Sequence, residues 1–425
     1  LWFEVEAGEQ PVFDTSVGQI GCFICADARI PEPARLQALQ GVDFMVCSSN
    51  WAGPDQYSMH VPARAIENGC WIIAADKVGV EPGIRYPGGS CIIAPNGKIL
   101  TQASLEYEET IYVDVPKSKA MEERLFADLN LFTNRRPDLY GILTEPWKKE
   151  PNNKEDCFTD TIYAAAVVID PLQKDSNTIL QDSLKYAQEA VRLDEADLIV
   201  FPEMHLHPNR LPGCDELSEW ASVDQRGVIQ FTELARRNNT WIVFDGIEKA
   251  GEGFYHTTYL ISGERIERYR KTHLSSEEQA LFLPGDRLGV FKLGTTTVGI
   301  LIGNELALPE PTRALAMQGI ECLILPTSWR EAGELSILIK ERATENRIFI
   351  VASNRLDSRI PGSSLIVTPS HYPEPAIVAS TPLPKTNYVG SLLPLALAKS
   401  KLITRNTHVL RDRRPDECAR LTRRI

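Results

Sequence analysis

The chain has 425 residues, 43% of them hydrophobic and 24% charged, an ordinary globular composition with length enough for two domains. A net charge of −12 excludes a broad electrostatic footprint for nucleic acid or an anionic membrane surface, and no run approaches the roughly 18 uninterrupted apolar residues that span a bilayer. The 9 cysteines show no CxxC pair and no His/Cys cluster at zinc spacing, which argues against a disulfide framework or a structural metal and for a reducing, cytoplasmic setting.

In chain order, residues 19–24 form an apolar strand that ends at Cys25. Residues 31–40 read as a helix, with Pro31 in the first turn and Gly41 as its stop. A buried strand follows at 44–47, a helix at 58–68 closed by Gly69, and a strand at 70–75. Residues 90–100 form a hairpin that turns at Asn96-Gly97. The segment 144–160, with Pro146, Pro151 and a polar run from Asn152 to Asp156, reads as a surface linker. Beyond it come strands at 163–168, 198–201, 241–244 and 257–261, with helices at 176–193 and 227–237 between the first three. Short apolar strands alternating with helices place the helices on sheet faces.

The chain repeats itself. A constant offset of 278 positions carries Ile24–Arg35 onto Ile302–Arg313, Ser49-Asn50-Trp51 onto Thr327-Ser328-Trp329, and Arg64–Asn68 onto Arg342–Asn346. The same offset carries Arg135-Arg136-Pro137-Asp138 onto Arg413-Arg414-Pro415-Asp416. Each copy holds several strands and helices, so the repeat is a duplicated domain and not a solenoid unit. Residues 161–425 make one complete copy, and residues 1–143 make only the later half of another. Because the chain opens at Leu1 directly in a strand-like segment, the N-terminal part of the first copy is expected to be missing.

A free cysteine is most often a small buried hydrophobe. Cys25, however, stands at the end of a strand just before a turn and a helix, where its thiol is exposed at a sheet edge and the amide of Ala26 is available to an oxyanion. Glu203 after its strand could cap a turn, and Lys271 among Arg268, Arg270 and His273 could lie on a solvated face. Arg64 and Glu67, three apart on a helix and repeated as Arg342 and Glu345, read as scaffold.

The run Cys25-x-Asp27-x-Arg29-x-Pro31-Glu32, with Ser49-Asn50-Trp51, Arg64-Ala65-x-Glu67-Asn68, Gly88-Gly89-Ser90 and the Arg135–Gly141 ending, resembles the nucleophile region of the nitrilase superfamily of cysteine-dependent carbon–nitrogen hydrolases. The second copy supplies the motifs that precede the nucleophile: Asp197–Glu203 resembles the strand that ends in the general base, Tyr269–Leu274 the lysine motif, and Glu278 the second glutamate. The resemblance covers nearly the whole chain. It implies an α/β fold of the α-β-β-α sandwich type, in one partial and one complete copy. It implies Cys25 as nucleophile, Glu203 as base, Lys271 at the oxyanion and Glu278 orienting substrate or lysine. The implied activity is hydrolysis of small linear amides or N-carbamoyl compounds through a thioester, with no metal or organic cofactor. An internal pseudo-dimer and further homo-oligomers are the implied associations.

The pattern is broken in complementary ways. The nucleophile position of the second copy is Gly303, with no Ser or Thr beside it in the sequence, and Cys322 falls in the following strand. The first copy keeps Cys25 without its own glutamate and lysine. Three arrangements fit: a longer tandem protein whose upstream sequence completes the first site, an inactive scaffold or binding protein, or an exchange in which residues 161–300 complement the half that bears Cys25. The last requires displacing residues 304–425 from their own sheet, at a large cost in buried apolar area.

Overall fold

The computed structural model describes residues 10–115, 129–148, 161–329, 332–357, 364–369, 377–380, 387–404 and 407–424, so most of the expected linker at 144–160 lies outside the described residues. The chain divides into two compact units, Leu1–Trp147 with Val409–Ile425, and Lys148–His408. The repeat and the compact units part company at the C-terminus. Residues from Val409 onward, the end of the second copy by sequence, pack with the first unit. There Arg413 pairs with the buried Glu32 and donates through Nη2 to the Leu143 carbonyl at 2.6 Å, while Arg135 donates to the Leu421 carbonyl. These two contacts are reciprocal under the offset of the repeat, and four covalently distant residues account for them; local pattern carries no sign of it.

Unit 1 is built on a six-stranded sheet in the order Val12–Thr15, Gly18–Ile24, Phe44–Ser49, Trp71–Asp76, Cys91–Ile93, Ile99–Gln102. Its three central strands run parallel, which requires the crossover helices Glu32–Ala38 and His60–Asn68. Both helices pack on one face, where Ala34, Ala38, Val61 and Ala65 meet Phe23, Met45, Cys47 and Ile72. The hairpin expected at 90–100 is present, with Gly97 at φ +85° in its turn. A second, unforeseen hairpin pairs Val78–Glu81 with Ile84–Pro87. On the opposite sheet face Ile24 is 68% and Ile73 42% exposed, with Cys22 exposed beside them.

Unit 2 holds two six-stranded sheets. One runs Gly289–Leu293, Thr296–Ile300, Cys322–Pro326, Phe349–Ser353, Leu365–Val367, Ile377–Ser380, the same order as the sheet of unit 1. The other runs Ile266–Arg270, Gly253–Ile261, Trp241–Ala250, Leu198–Val200, Thr161–Val168, Asn387–Pro394. Alternation divides the second sheet's residues: Ala165, Val167, Ile199, Ile242 and Phe244 face the helices Ser176–Asp194 and Leu217–Asn238, and Ala164, Ala166, Leu198, Val200 and Val243 are buried on the side of the first sheet. The two sheets are tied by Ser353 Oγ and Ser364 Oγ, which both donate to the Val167 carbonyl at 2.7 and 3.0 Å. Helices Pro309–Met317 and Ala332–Asn346 accompany the first sheet as crossovers, which gives the α-β-β-α sandwich.

Two elements are longer than local pattern suggests. The helix expected at 227–237 begins at Leu217, because Leu217, Trp220 and Ala221 bury against Met204, Ile247 and Phe282 from distant segments. The strand expected at 241–244 runs to Ala250 and returns through Gly251, at φ +61°, into Gly253–Ile261. The paired arginines and glutamates form scaffold in both units: Arg64–Glu67 and Arg342–Glu345 are each 2.7 Å apart and fully buried. No helix among the described residues is long and apolar enough to cross a membrane.

Candidate active site

The two units share a sharp elbow at equivalent positions. In unit 1 the strand Gly18–Ile24 passes directly into a turn of 3-10 helix at Cys25–Arg29, and Cys25 takes φ +46°. In unit 2 the strand Thr296–Ile300 leads to a matching turn at Gly303–Ala307, where Gly303 takes φ +50°. Glycine adopts that conformation freely, but a residue with a β-carbon gives up about 1–2 kcal/mol to do so, and strain of this kind persists where the fold aims a side chain. An acidic side chain braces both elbows: Asp27 Oδ2 accepts from the Ile24 amide and Glu305 Oε2 from the Ile302 amide, each at 2.9 Å.

Cys25 is half-buried, and its Sγ donates to Asn50 Oδ1 at 3.7 Å. Burial pushes the thiols of Cys47, Cys91 and Cys322 up to about 12 and leaves them as core hydrophobes. Cys322 opens the strand Cys322–Pro326 and is fully buried.

Three segments of unit 2 converge on Gly303. The strand Leu198–Val200 continues to Glu203, and the loop after it is held by Arg355, which donates to the Met204 carbonyl at 2.9 Å and the His207 carbonyl at 2.7 Å. Lys271 follows the strand Ile266–Arg270, and Glu278 opens the short turn Glu278–Ala280. Lys271 Nζ donates to Glu278 Oε1 at 2.6 Å and stands 3.7 Å from Glu203 Oε1. A β-carbon placed on Gly303 would lie 2.7 Å from Glu203 Oε2, closer than such atoms approach without something moving. The carboxylate thus fills space that a nucleophile's side chain would need. Ser328 Oγ donates to that same oxygen at 2.7 Å.

Burial raises the Glu203 carboxyl above its usual range, and Lys271 and His256 only partly offset it. For Glu278 burial acts in the same direction but loses to Lys271 and His256, which hold this carboxyl well below the usual range. Lys271 is the converse case, in which Glu278 and Glu203 outweigh burial and keep the ammonium charged. His256 Nε2 lies 2.9 Å from Asp245 Oδ1; burial opposes its charge, yet Asp245 raises the imidazole to about 10. The site therefore sets a carboxyl of raised basicity, Glu203, beside a fixed ammonium, Lys271, an arrangement suited to general base catalysis and oxyanion stabilisation. Glu203, His256 and Glu278 also offer ligand atoms within 4.8 Å of one another, but Lys271 Nζ already stands among these carboxylates as the cation.

The lysine loop is bound to the elbow by Glu305. This buried carboxylate accepts from Tyr269 Oη at 2.8 Å, from the Thr272 amide at 3.1 Å and from the His273 amide at 3.0 Å, besides the Ile302 amide.

The family model for carbon–nitrogen hydrolases matches residues 1–123 and 163–371. The chain belongs to the carbon–nitrogen hydrolase family. Among its relatives, a probable nitrilase of Schizosaccharomyces pombe is 37% identical over 140 residues, 32% of this chain and 50% of that protein. An (R)-stereoselective amidase of a Pseudomonas species is 33% identical over 184 residues, 41% of this chain and 66% of the relative. A 2-oxoglutaramate amidase of Bacillus subtilis is 32% identical over 119 residues, 28% of this chain and 45% of the relative. The matched segments thus span 50%, 66% and 45% of these curated relatives. Two solved structures share the fold: a carbon–nitrogen hydrolase from Helicobacter pylori G27, with TM-score 0.53 and 18% identity over 60% of this chain and 96% of that one, and an amidase from Nesterenkonia sp., with TM-score 0.51 and 22% identity over 61% and 95%.

Of the residues singled out in this carbon–nitrogen hydrolase sequence, the structure brings Glu203, Lys271 and Glu278 together beside Gly303, all in unit 2. Cys25 and the Ala26 amide belong to unit 1. Sequence reasoning missed Ser328, His256, Asp245 and Glu305. Asp245 carried a usable signal, an acidic residue inside an otherwise apolar strand, because a buried carboxylate requires partners. Ser328 carried one as well, its place opposite Asn50 in the repeat of Ser49-Asn50-Trp51, but its contact with Glu203, 125 positions away, is made only through the fold.

Proposed function

We propose that this chain carries the nucleophile of a hydrolase acting on non-peptide carbon–nitrogen bonds of small linear amides or N-carbamoyl compounds. Cys25 Sγ attacks the carbonyl carbon, the Ala26 amide supports the oxyanion, ammonia or an amine leaves, and water cleaves the thioester. The observation that carries the proposal is the left-handed elbow at Cys25, which matches the point in unit 2 on which a base and an ammonium converge. In this reading a polypeptide layer of the kind formed by residues 161–300, which the family pattern puts before the nucleophile, supplies the missing glutamate and lysine. The open face of the sheet in unit 1 supports it. Names of relatives that act on amides favour the substrate class, and the free cysteines suit a reducing compartment. Unit 2, with Gly303, forms no thioester.

A second reading is a catalytically inactive scaffold or binding protein, favoured by the lack of a side chain at Gly303, the position on which Glu203 and Lys271 converge. Peptide-resolved mass analysis of the full-length protein after exposure to a panel of small amides and N-carbamoyl compounds separates the two. Hydrolysis reads on an adduct at Cys25 that neutral hydroxylamine removes and Cys25→Ala abolishes. Full-length protein that never loads Cys25 would establish the scaffold.

A further inference from the structure

The sequence places no hydroxyl beside Gly303, but the fold does. Ser328 follows the strand Cys322–Pro326, is half-buried, and donates through Oγ to Glu203 Oε2 at 2.7 Å. Its backbone is fixed on both sides by one residue, since Asn354 Oδ1 accepts from Thr327 Oγ1 and from the Trp329 amide, each at 2.9 Å. Position 328 borders the nucleophile's place: its counterpart in unit 1, Asn50, is the residue that touches Cys25 Sγ, at 3.7 Å. Glu203 reaches the hydroxyl because Gly303 has no side chain to hold the carboxylate away.

We propose that Ser328 is a nucleophile of its own, activated by Glu203, and gives unit 2 an acyl-transfer activity on small carboxylic esters. Hydroxyl and carboxylate stand at hydrogen-bonding distance, the relation a nucleophile needs to its base. Ser328 Oγ bonds to the carbonyl carbon as its proton passes to Glu203, and the tetrahedral oxyanion faces Lys271. On collapse the carbon–oxygen bond to the alcohol breaks, and the alcohol leaves with the proton from Glu203. Water then attacks the acyl-serine, gives its proton to Glu203, and releases the acid as that proton returns to Oγ. Esters are the fitting class because a serine hydroxyl with a carboxylate base is a weaker nucleophile than a thiolate, and an alcohol departs more readily than ammonia. The raised Glu203 carboxyl is the stronger base for that reason and sets a pH dependence, with acylation falling as acid protonates it.

This activity is independent of Cys25, so the test uses the full chain carrying Cys25→Ala, with p-nitrophenyl acetate as probe. The expected result is a burst of p-nitrophenolate with the acetyl group mapped to Ser328. The adduct resists neutral hydroxylamine, which distinguishes an oxygen ester from a Cys25 thioester. Adding Ser328→Ala removes the burst, Glu203→Gln slows it by about 100-fold, and Ser328→Cys is acylated faster. Labelling of Ser328→Cys without labelling of Ser328 would show that the hydroxyl serves only as a hydrogen-bond donor to Glu203. Absence of labelling in both would show that the space beside Gly303 admits no acyl compound, and unchanged labelling in Glu203→Gln would remove the base. Each of these outcomes overturns the proposal.

Discussion

The two sheets that carry the elbows have the same strand order and opposite fates. In unit 2 the face turned away from the helices Pro309–Met317 and Ala332–Asn346 is covered by a second sheet, and Ile300, Ile302, Ile324 and Val351 are fully buried. Their counterparts in unit 1 are Cys22, Ile24, Val46 and Ile73; among them Ile24 is 68% and Ile73 42% exposed, and Val46 is half-buried. The same apolar alternation therefore specifies a sandwich core in one copy and an open face in the other. What differs among the described residues is the second sheet of unit 2, whose strands lead to Glu203 and Lys271.

The largest expected effect contrasts the two faces directly. Ile324→Asp places a carboxylate in the sealed sandwich and should cost more than about 3 kcal/mol of unit 2 stability, whereas Ile73→Asp should cost less than about 1 kcal/mol. Denaturant unfolding read by hydrogen exchange in the two sheets measures both, and equal losses would show that unit 1's face is covered after all. The next contrast concerns the acidic braces. Glu305→Ala leaves several buried donors without their acceptor and should destabilise by about 3 kcal/mol, against about 1 kcal/mol for Asp27→Ala, which loses a single amide contact. Exchange rates at residues 302–305 and 24–27 report each elbow separately.

A further contrast is in pH dependence. The His256 imidazole is raised from 6.5 to about 10, so its contribution to unit 2 is complete below about pH 6.5 and fades as pH rises through about 10. Thermal unfolding followed across that window should show unit 2 weakening, and His256→Asn should flatten that part of the slope.

Much of the fold was legible in sequence because strands and crossover helices follow local periodicity, and an offset that is the same at Arg35, Arg64 and Arg135 fixes equivalence at those motifs. The elbow at Cys25 was legible for the same reason, as a strand ending at a turn. The extension of the helix to Leu217 and the return of the tail from Val409 to unit 1 were not, because each depends on surfaces distant in the chain.

Sequence by itself determined the family, the internal repeat and the equivalence of Cys25 with Gly303, since those are properties of residue type and spacing. Only the tertiary structure decided that Glu203 closes into the space beside Gly303, that Lys271 stands between two carboxylates, and that Ser328 meets Glu203. These contacts join separate strands and loops, where the protonation and reach of each group depend on what the fold buries beside it.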